Sequence, residues 1–151
     1  MEVLQGLNGQ TTDTIYDLFF TEKSIIAAIV LHHSDFMERY HKPDLTTIFL
    51  GDGLRRAEIK RQSMRLMEER RQAFKNKTPE EILATHRANV KIDYENIISV
   101  ATKKGLLSAS LEFSLQDHPL KRVQFSLKNS RVAEVERVIN KILPGKVLKA
   151  P

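Results

Sequence analysis

Between Asn89 and Leu143 the apolar residues change period, and that change limits the fold more than any other feature of the chain. Leu111, Phe113 and Leu115 alternate with Ser110, Glu112 and Ser114. Beyond the turn Asp117-His118-Pro119 the alternation resumes, with Val123, Phe125 and Leu127 set against Gln124 and Ser126. A period of two puts one face of a strand in a core and the other in water. Val90-Lys91-Ile92 and Ile97 to Lys103 read as further strands, with turns at Tyr94-Glu95-Asn96 and Lys104-Gly105. The period then becomes 3.6 through Val132, Val135, Val138, Ile139, Ile142 and Leu143. Asn129-Ser130 can cap that helix, Pro144-Gly145 stops it, and a short basic tail follows. An antiparallel meander followed by an amphipathic helix buries one against the other.

The first half is less regular. Glu2 to Gly9 is short and mixed and ends in the turn signal Asn8-Gly9. Thr14 to Phe20 reads as a strand, Thr21-Glu22-Lys23-Ser24 as a turn, and Ile25 to Leu31 as a strand with no polar face. Such a run suits a strand buried on both sides or set in a barrel wall. Residues 33–53 look irregular, with a loop at Lys42-Pro43-Asp44 and a short strand at Thr46 to Leu50 ended by Gly51-Asp52-Gly53. Leu54 to Phe74 lacks Pro and Gly and is rich in helix formers. Its apolar stripe, Ala57, Met64, Met67 and Phe74, is narrow, so the helix is expected to be an exposed insertion or interaction arm. Thr78-Pro79-Glu80-Glu81 is a helix start with Thr78 as N-cap and Glu81 closing a capping box, leading to about Ala88.

Charge is concentrated in one place. The chain of 151 residues carries a net charge of +5, and the segment from Leu54 to Lys77 alone holds nine basic residues against three acids. The rest of the chain is therefore close to neutral. A basic element attracts phosphates of nucleic acid or lipid headgroups, although a solvated helix face is the plainer reading.

Composition removes several classes. With 41% hydrophobic and 28% charged residues, the chain is not of the disordered type. The absence of cysteine excludes disulfides, thiolate nucleophiles and Cys-based metal sites. Residues 1–22 contain no Lys or Arg, unlike a secretory or transit signal. The longest apolar run is far shorter than the roughly 20 residues of a membrane span. These features point to a soluble, cytoplasmic protein, with a peripheral place at a membrane as the other setting.

Two stretches resemble a known family. Leu18-Phe19-Phe20-Thr21-Glu22-Lys23-Ser24-Ile25-Ile26-Ala27 is similar to the hairpin of bacterial and archaeal pleckstrin-homology-like (PH-like, GRAM-like) domains, with Ser24 at a position usually basic. Ile92-Asp93-Tyr94-Glu95-Asn96-Ile97-Ile98-Ser99-Val100 is similar to a second segment of those domains, with Asp93 where proline is common. The resemblance implies one α+β domain over residues 1–151. It would be a bent antiparallel sheet, or partly open barrel, of about seven strands capped by the C-terminal helix. Its core would be 1–32 and 89–144, with a loop and two inserted helices in 33–88. It also implies a binding or assembly module. Such folds host many roles, so the function must come from a site.

The sites that can be named are few. The hairpin loop that binds phosphoinositides in many PH domains corresponds to Asn8 to Thr12, which has no basic residue, so that property does not carry over. Lys103-Lys104 lies on or beside a turn and could touch an anion, although solvation is its ordinary role. Gly51-Asp52-Gly53 resembles the opening of a dinucleotide fingerprint, but Arg56 stands where the third glycine belongs, and a loop or helix cap is the better reading. An anion beside Arg55 and Arg56 at that helix start is the weaker one. The histidines His32, His33, His41, His86 and His118 show no metal-ligand spacing, and His32 and His33 would point to opposite faces of a strand. No nucleophile or P-loop motif is present. The expectation is a non-catalytic module with no cofactor and no metal. Its first expected partner is a protein or its own copy, as a homo-oligomer, through the inserted helices. The alternative is an anionic surface, acidic membrane more than nucleic acid, held by Arg55, Arg56, Lys60, Arg61, Arg65, Arg70 and Arg71.

Overall fold

The computed structural model describes residues 1–9, 14–35 and 45–148, and for 45–55 the backbone only. In chain order the elements are β1 (Glu2–Asn8), β2 (Ile15–Phe20), β3 (Ser24–Leu31), α1 (Leu45–Phe74), α2 (Pro79–Leu83), β4 (Val90–Asp93), β5 (Ile97–Lys104), β6 (Ala109–Leu115), β7 (Arg122–Leu127), α3 (Val132–Ile142) and β8 (Val147–Leu148). The eight strands form one open sheet in the order β4-β3-β2-β1-β7-β6-β5-β8. All pairs are antiparallel except β5 with β8. The α+β class, the antiparallel meander, the C-terminal helix and the two helices between β3 and β4 agree with the sequence.

The two halves of the sheet meet at a narrow seam, where β1 pairs with β7 through Asn8 and Ser126. Yet Leu4, Leu18, Ile25 and Ile92 of one half share a single apolar cluster with Ile97, Leu111, Phe113 and Phe125 of the other. A sheet must curl to bring edge strand β4 and strand β5 onto the same core. Val132, Val135, Val138 and Ile139 of α3 fill that core, as their 3.6 spacing requires.

Strand β3 explains the placement of the inserted helices. Every residue from Ser24 to Leu31 is buried. Ile25 and Ala27 face the main core, while Ile26, Ala28 and Val30 face a second cluster with Phe19, Phe74 and Ile82. The strand is thus covered by α3's core on one side and by α1 and α2 on the other. Phe74 meets Phe19 edge to face at 5.6 Å. Helix α2 keeps the capping box of Thr78 and Glu81. Its end is tied down by Asn89, whose Nδ2 donates to the Ile82 carbonyl at 3.1 Å while its Oδ1 accepts the Ile29 N–H at 2.7 Å.

The two family-like stretches lie against each other. Ser24 pairs with Asp93 across β3 and β4. The Tyr94 hydroxyl donates to the Thr21 carbonyl at 2.5 Å, and the Tyr94 N–H donates to the Lys23 carbonyl. Ser24 is buried and its N–H donates to Thr21 Oγ1 at 3.0 Å, so a small hydroxyl closes this turn.

Several expectations are corrected. Thr46 to Leu50 is not a strand: α1 begins at Leu45 and runs through Gly51-Asp52-Gly53. β-branched and aromatic residues favour a strand locally, but an extending helix absorbs about 1 kcal/mol per glycine. The helix start imagined beside Arg55 and Arg56 therefore does not exist. Glu2–Asn8 is a full strand, and Val147–Leu148 of the tail pairs with β5, so the described residues form eight strands, close to the seven or so expected. Helix α2 stops at Leu83, well before Ala88. His32 and His33 follow the end of β3, and their rings lie 4.1 Å apart instead of on opposite faces. The loop expected at Lys42-Pro43-Asp44 lies outside the described residues.

Candidate anion-binding surface

The seven cations singled out in the sequence fall into separate sets. Arg70 and Arg71 face the sheet. Arg70 sends Nη1 to Asp35 Oδ2 and Nη2 to Asp35 Oδ1, both at 2.8 Å, and Nη1 also donates to the Val30 carbonyl at 3.0 Å. Arg71 donates from Nε to Asp17 Oδ2 at 2.7 Å and from Nη2 to Oδ1 at 2.9 Å. Asp17 is fully buried on β2, and its Oδ1 also accepts the N–H of Gly6 at 2.9 Å. Gly6 has φ +72° where β1 bulges between Leu4 and Leu7, a conformation suited to glycine. Asp17 hydrogen bonds push Arg71 above its ordinary pKa, against burial, and so hold it charged. These two arginines bolt the last turns of α1 to β2 and β3 by fork-on-carboxylate pairs. Their charge is matched inside the protein, which removes them from the open basic face.

The other cations lie further toward the N-terminus of α1. Arg61 and Arg65 are exposed and pair only with acids of their own helix, Glu58 at 2.7 Å and Glu69 at 3.4 Å. Such exposed pairs are weak and exchange readily with solvent ions. Arg56 and Lys60 are exposed and have no ion-pair partner among the described residues. At 100° per residue they continue the line of Met67 and Phe74, but beyond the sheet. The side chain of Arg55 lies outside the described residues.

The direction of α1 explains this split. Phe74 packs beside Phe19, which pairs with Ile26, whereas Arg70 reaches Val30. The helix therefore runs antiparallel to β3 and leaves the sheet past Leu31. A sequence window shows only one basic run. Three-dimensional packing divides it, because Arg70 and Arg71 meet carboxylates of the body and, among the described residues, Arg56, Lys60, Arg61 and Arg65 do not.

Two clefts lie elsewhere. One of about 190 Å³ is lined by His32, Asp35, Arg70, Lys77, Thr85 and His86, among others. His86, far away in sequence, brings its ring to 4.9 Å from His32. Burial lowers the pKa of His32, and the charges of His33, His86 and Arg87 lower it further, against the pull of Asp35. Its Nδ1 accepts the Ser34 N–H at 3.2 Å, so its neutral form carries the proton on Nε2. Asp35 is tied on both oxygens by Arg70 and by the His32 N–H at 2.8 Å. No group of three His, Cys, Asp or Glu residues able to hold a metal occurs among the described residues. The second cleft, about 250 Å³, lies between Tyr16, Val90, Leu120, Arg122 and Phe125.

No family model, curated protein or solved structure matches the chain. No helix among the described residues is long and apolar enough to cross a membrane.

Proposed function

We propose that the chain is a non-catalytic binding module of PH-like organisation that engages a phosphate-bearing anionic surface through the part of α1 that runs past the sheet. One observation carries this reading. Arg56, Lys60, Arg61 and Arg65 remain exposed on a helix whose Met67, Phe74, Arg70 and Arg71 are committed to the body. Among the described side chains, what this part of α1 leaves open is mostly charge, which favours phosphate over an apolar partner. Helix pairing with a protein or a second copy was the first expectation. It is less favoured because, of its stripe, only Ala57 and Met64 stay exposed.

The test is binding over a salt series, with one arm of acidic phospholipid vesicles and one of duplex DNA. The wild-type chain is expected to bind at low salt in at least one arm and to release as salt rises. The variant R56Q/K60Q/R61Q/R65Q is expected to bind at least about tenfold more weakly. Absence of wild-type binding in both arms at low salt overturns the reading.

A further inference from the structure

The β5–β6 hairpin ends in an apolar tip. Leu106 is 97% exposed and Leu107 93% exposed, the two most exposed large hydrophobics among the described residues. Isolated surface leucines are ordinary, but a turn of this length normally carries polar residues. The tip is also held in shape. Lys104 pairs with Ala109, the Gly105 N–H donates to the Ser108 carbonyl at 2.8 Å, and Asn129 Nδ2 donates to the Gly105 carbonyl at 2.9 Å. A Cβ on Gly105 would stand 2.6 Å from the Ser108 carbonyl oxygen, so the close approach requires glycine. The leucines are presented on a closed, braced turn.

A cationic collar surrounds them. Lys103, Lys104 and Lys128 are exposed, and none has an ion-pair partner among the described residues. No acid occurs between Lys103 and Ser110 or between Leu120 and Arg131. Glu136 of α3 accepts a hydrogen bond from Thr102, further down β5. The strand register places this tip on the same rim of the sheet that α1 runs past. Leu31 pairs with Ile15, Ile15 with Asn8, Asn8 with Ser126, Ser126 with Ser110, and Ser110 with Lys103.

We propose that Leu106 and Leu107 insert into the interface of an anionic phospholipid bilayer, with Lys103, Lys104 and Lys128 held at the headgroups. An apolar wedge ringed by cations without acids matches a surface that is apolar beneath and negative above. Lysine stems can lie along the apolar layer while their ammonium groups stay in water. A nucleic acid would use the lysines but has no place for the leucines, and an acidic protein patch would leave them in water. This inference deepens the reading of α1, since it names the anionic surface, and it rests on that reading.

The chain has no cysteine, so Leu107→Cys and Glu22→Cys each give a single site for an environment-sensitive fluorophore. Glu22 is exposed in the turn between β2 and β3, at the opposite end of the sheet. On vesicles of mixed phosphatidylserine and phosphatidylcholine, the probe at position 107 is expected to shift to the blue and become shielded from an aqueous quencher. The probe at position 22 is expected to show neither change. L106S/L107S is expected to lower vesicle partitioning at least about tenfold with an unchanged circular dichroism spectrum. K103Q/K104Q/K128Q is expected to weaken binding to the acidic vesicles. If wild-type protein sediments with those vesicles while the probe at 107 stays in water, the insertion is overturned and the reading of α1 stands. If it binds DNA but neither vesicle type, the membrane proposal falls while the reading of α1 stands. Failure in all arms removes both. An equal shift on phosphatidylcholine alone overturns the role of the lysines.

Discussion

Asp17 and Arg71 form a pair with unequal access to water. Asp17 is enclosed, whereas Arg71 keeps 21% of its side-chain surface. Replacing Arg71 by methionine strands a buried carboxylate and is expected to lower stability by about 3–5 kcal/mol. Replacing Asp17 by alanine is expected to lower it less, because the guanidinium can swing outward on its long stem. Urea midpoints of both single variants and the double variant check the order and the coupling. His32 and Asp35 give a second test, by pH. The folded pKa of His32 lies below its ordinary value of 6.5, mainly through burial. The unfolded chain therefore binds more protons near pH 6.5, and stability falls as pH drops through that value. Burial pushes Asp35 up, but the Arg70 hydrogen bonds and the His32 N–H outweigh it, and the result lies below its ordinary 3.8. Its contribution is full above that range and fades as pH falls below it. Stability measured against pH is expected to lose its slope below pH 6.5 in His32→Gln and to flatten below about pH 4 in Asp35→Asn.

At the scale of elements, the contacts that hold α1 among the described residues lie toward its C-terminal end. Phe74 is buried against Phe19, and Met67, Arg70 and Arg71 extend that contact toward Val30 and Asp17. Phe74→Ala is expected to destabilise the protein by about 3–5 kcal/mol. Hydrogen exchange is expected to rise in α1 and on the outer face of β3, with little change in β5, β6 and α3. Uniform acceleration across the sheet would contradict this division into two clusters. The division is legible in part. An unbroken apolar run at Ile25–Leu31 fits a strand covered on both faces or one in a barrel wall, and does not say what covers the second face. The sparse stripe of Leu54–Phe74 suggested an arm, because averaging over the helix hides a short apolar patch in its final turns.

For the whole molecule, stability and charge separate. The contacts of Arg70, Arg71, Met67 and Phe74 hold α1, while Arg56, Lys60, Arg61 and Arg65 contribute little to the fold. R56Q/K60Q/R61Q/R65Q removes four of the chain's 24 Lys and Arg residues. Its urea midpoint is expected to stay within about 0.5 kcal/mol of wild type while anion binding drops. A large loss of stability would mean that these residues are fasteners as well. The remaining charge includes Lys103, Lys104 and Lys128 on the same rim, so reduced rather than abolished vesicle binding is expected.

Local sequence alone determined the meander from Val90 to Leu127, the helix Val132–Ile142 and the capping box at Thr78, because each depends on neighbours within a few residues. It also marked β3 as a strand with no polar face, either covered on both sides or set in a barrel wall. Only tertiary structure decided that Glu2–Asn8 is a strand and that His86 meets His32. Each of these depends on a partner distant in the chain. The same holds for the basic segment. Its charge is plain in the sequence, but which arginines are neutralised follows from Asp17 and Asp35, which stand more than thirty residues away. Two adjacent leucines in a turn are visible from the start. Their exposure became a feature once the sheet had curled and left that turn at its rim.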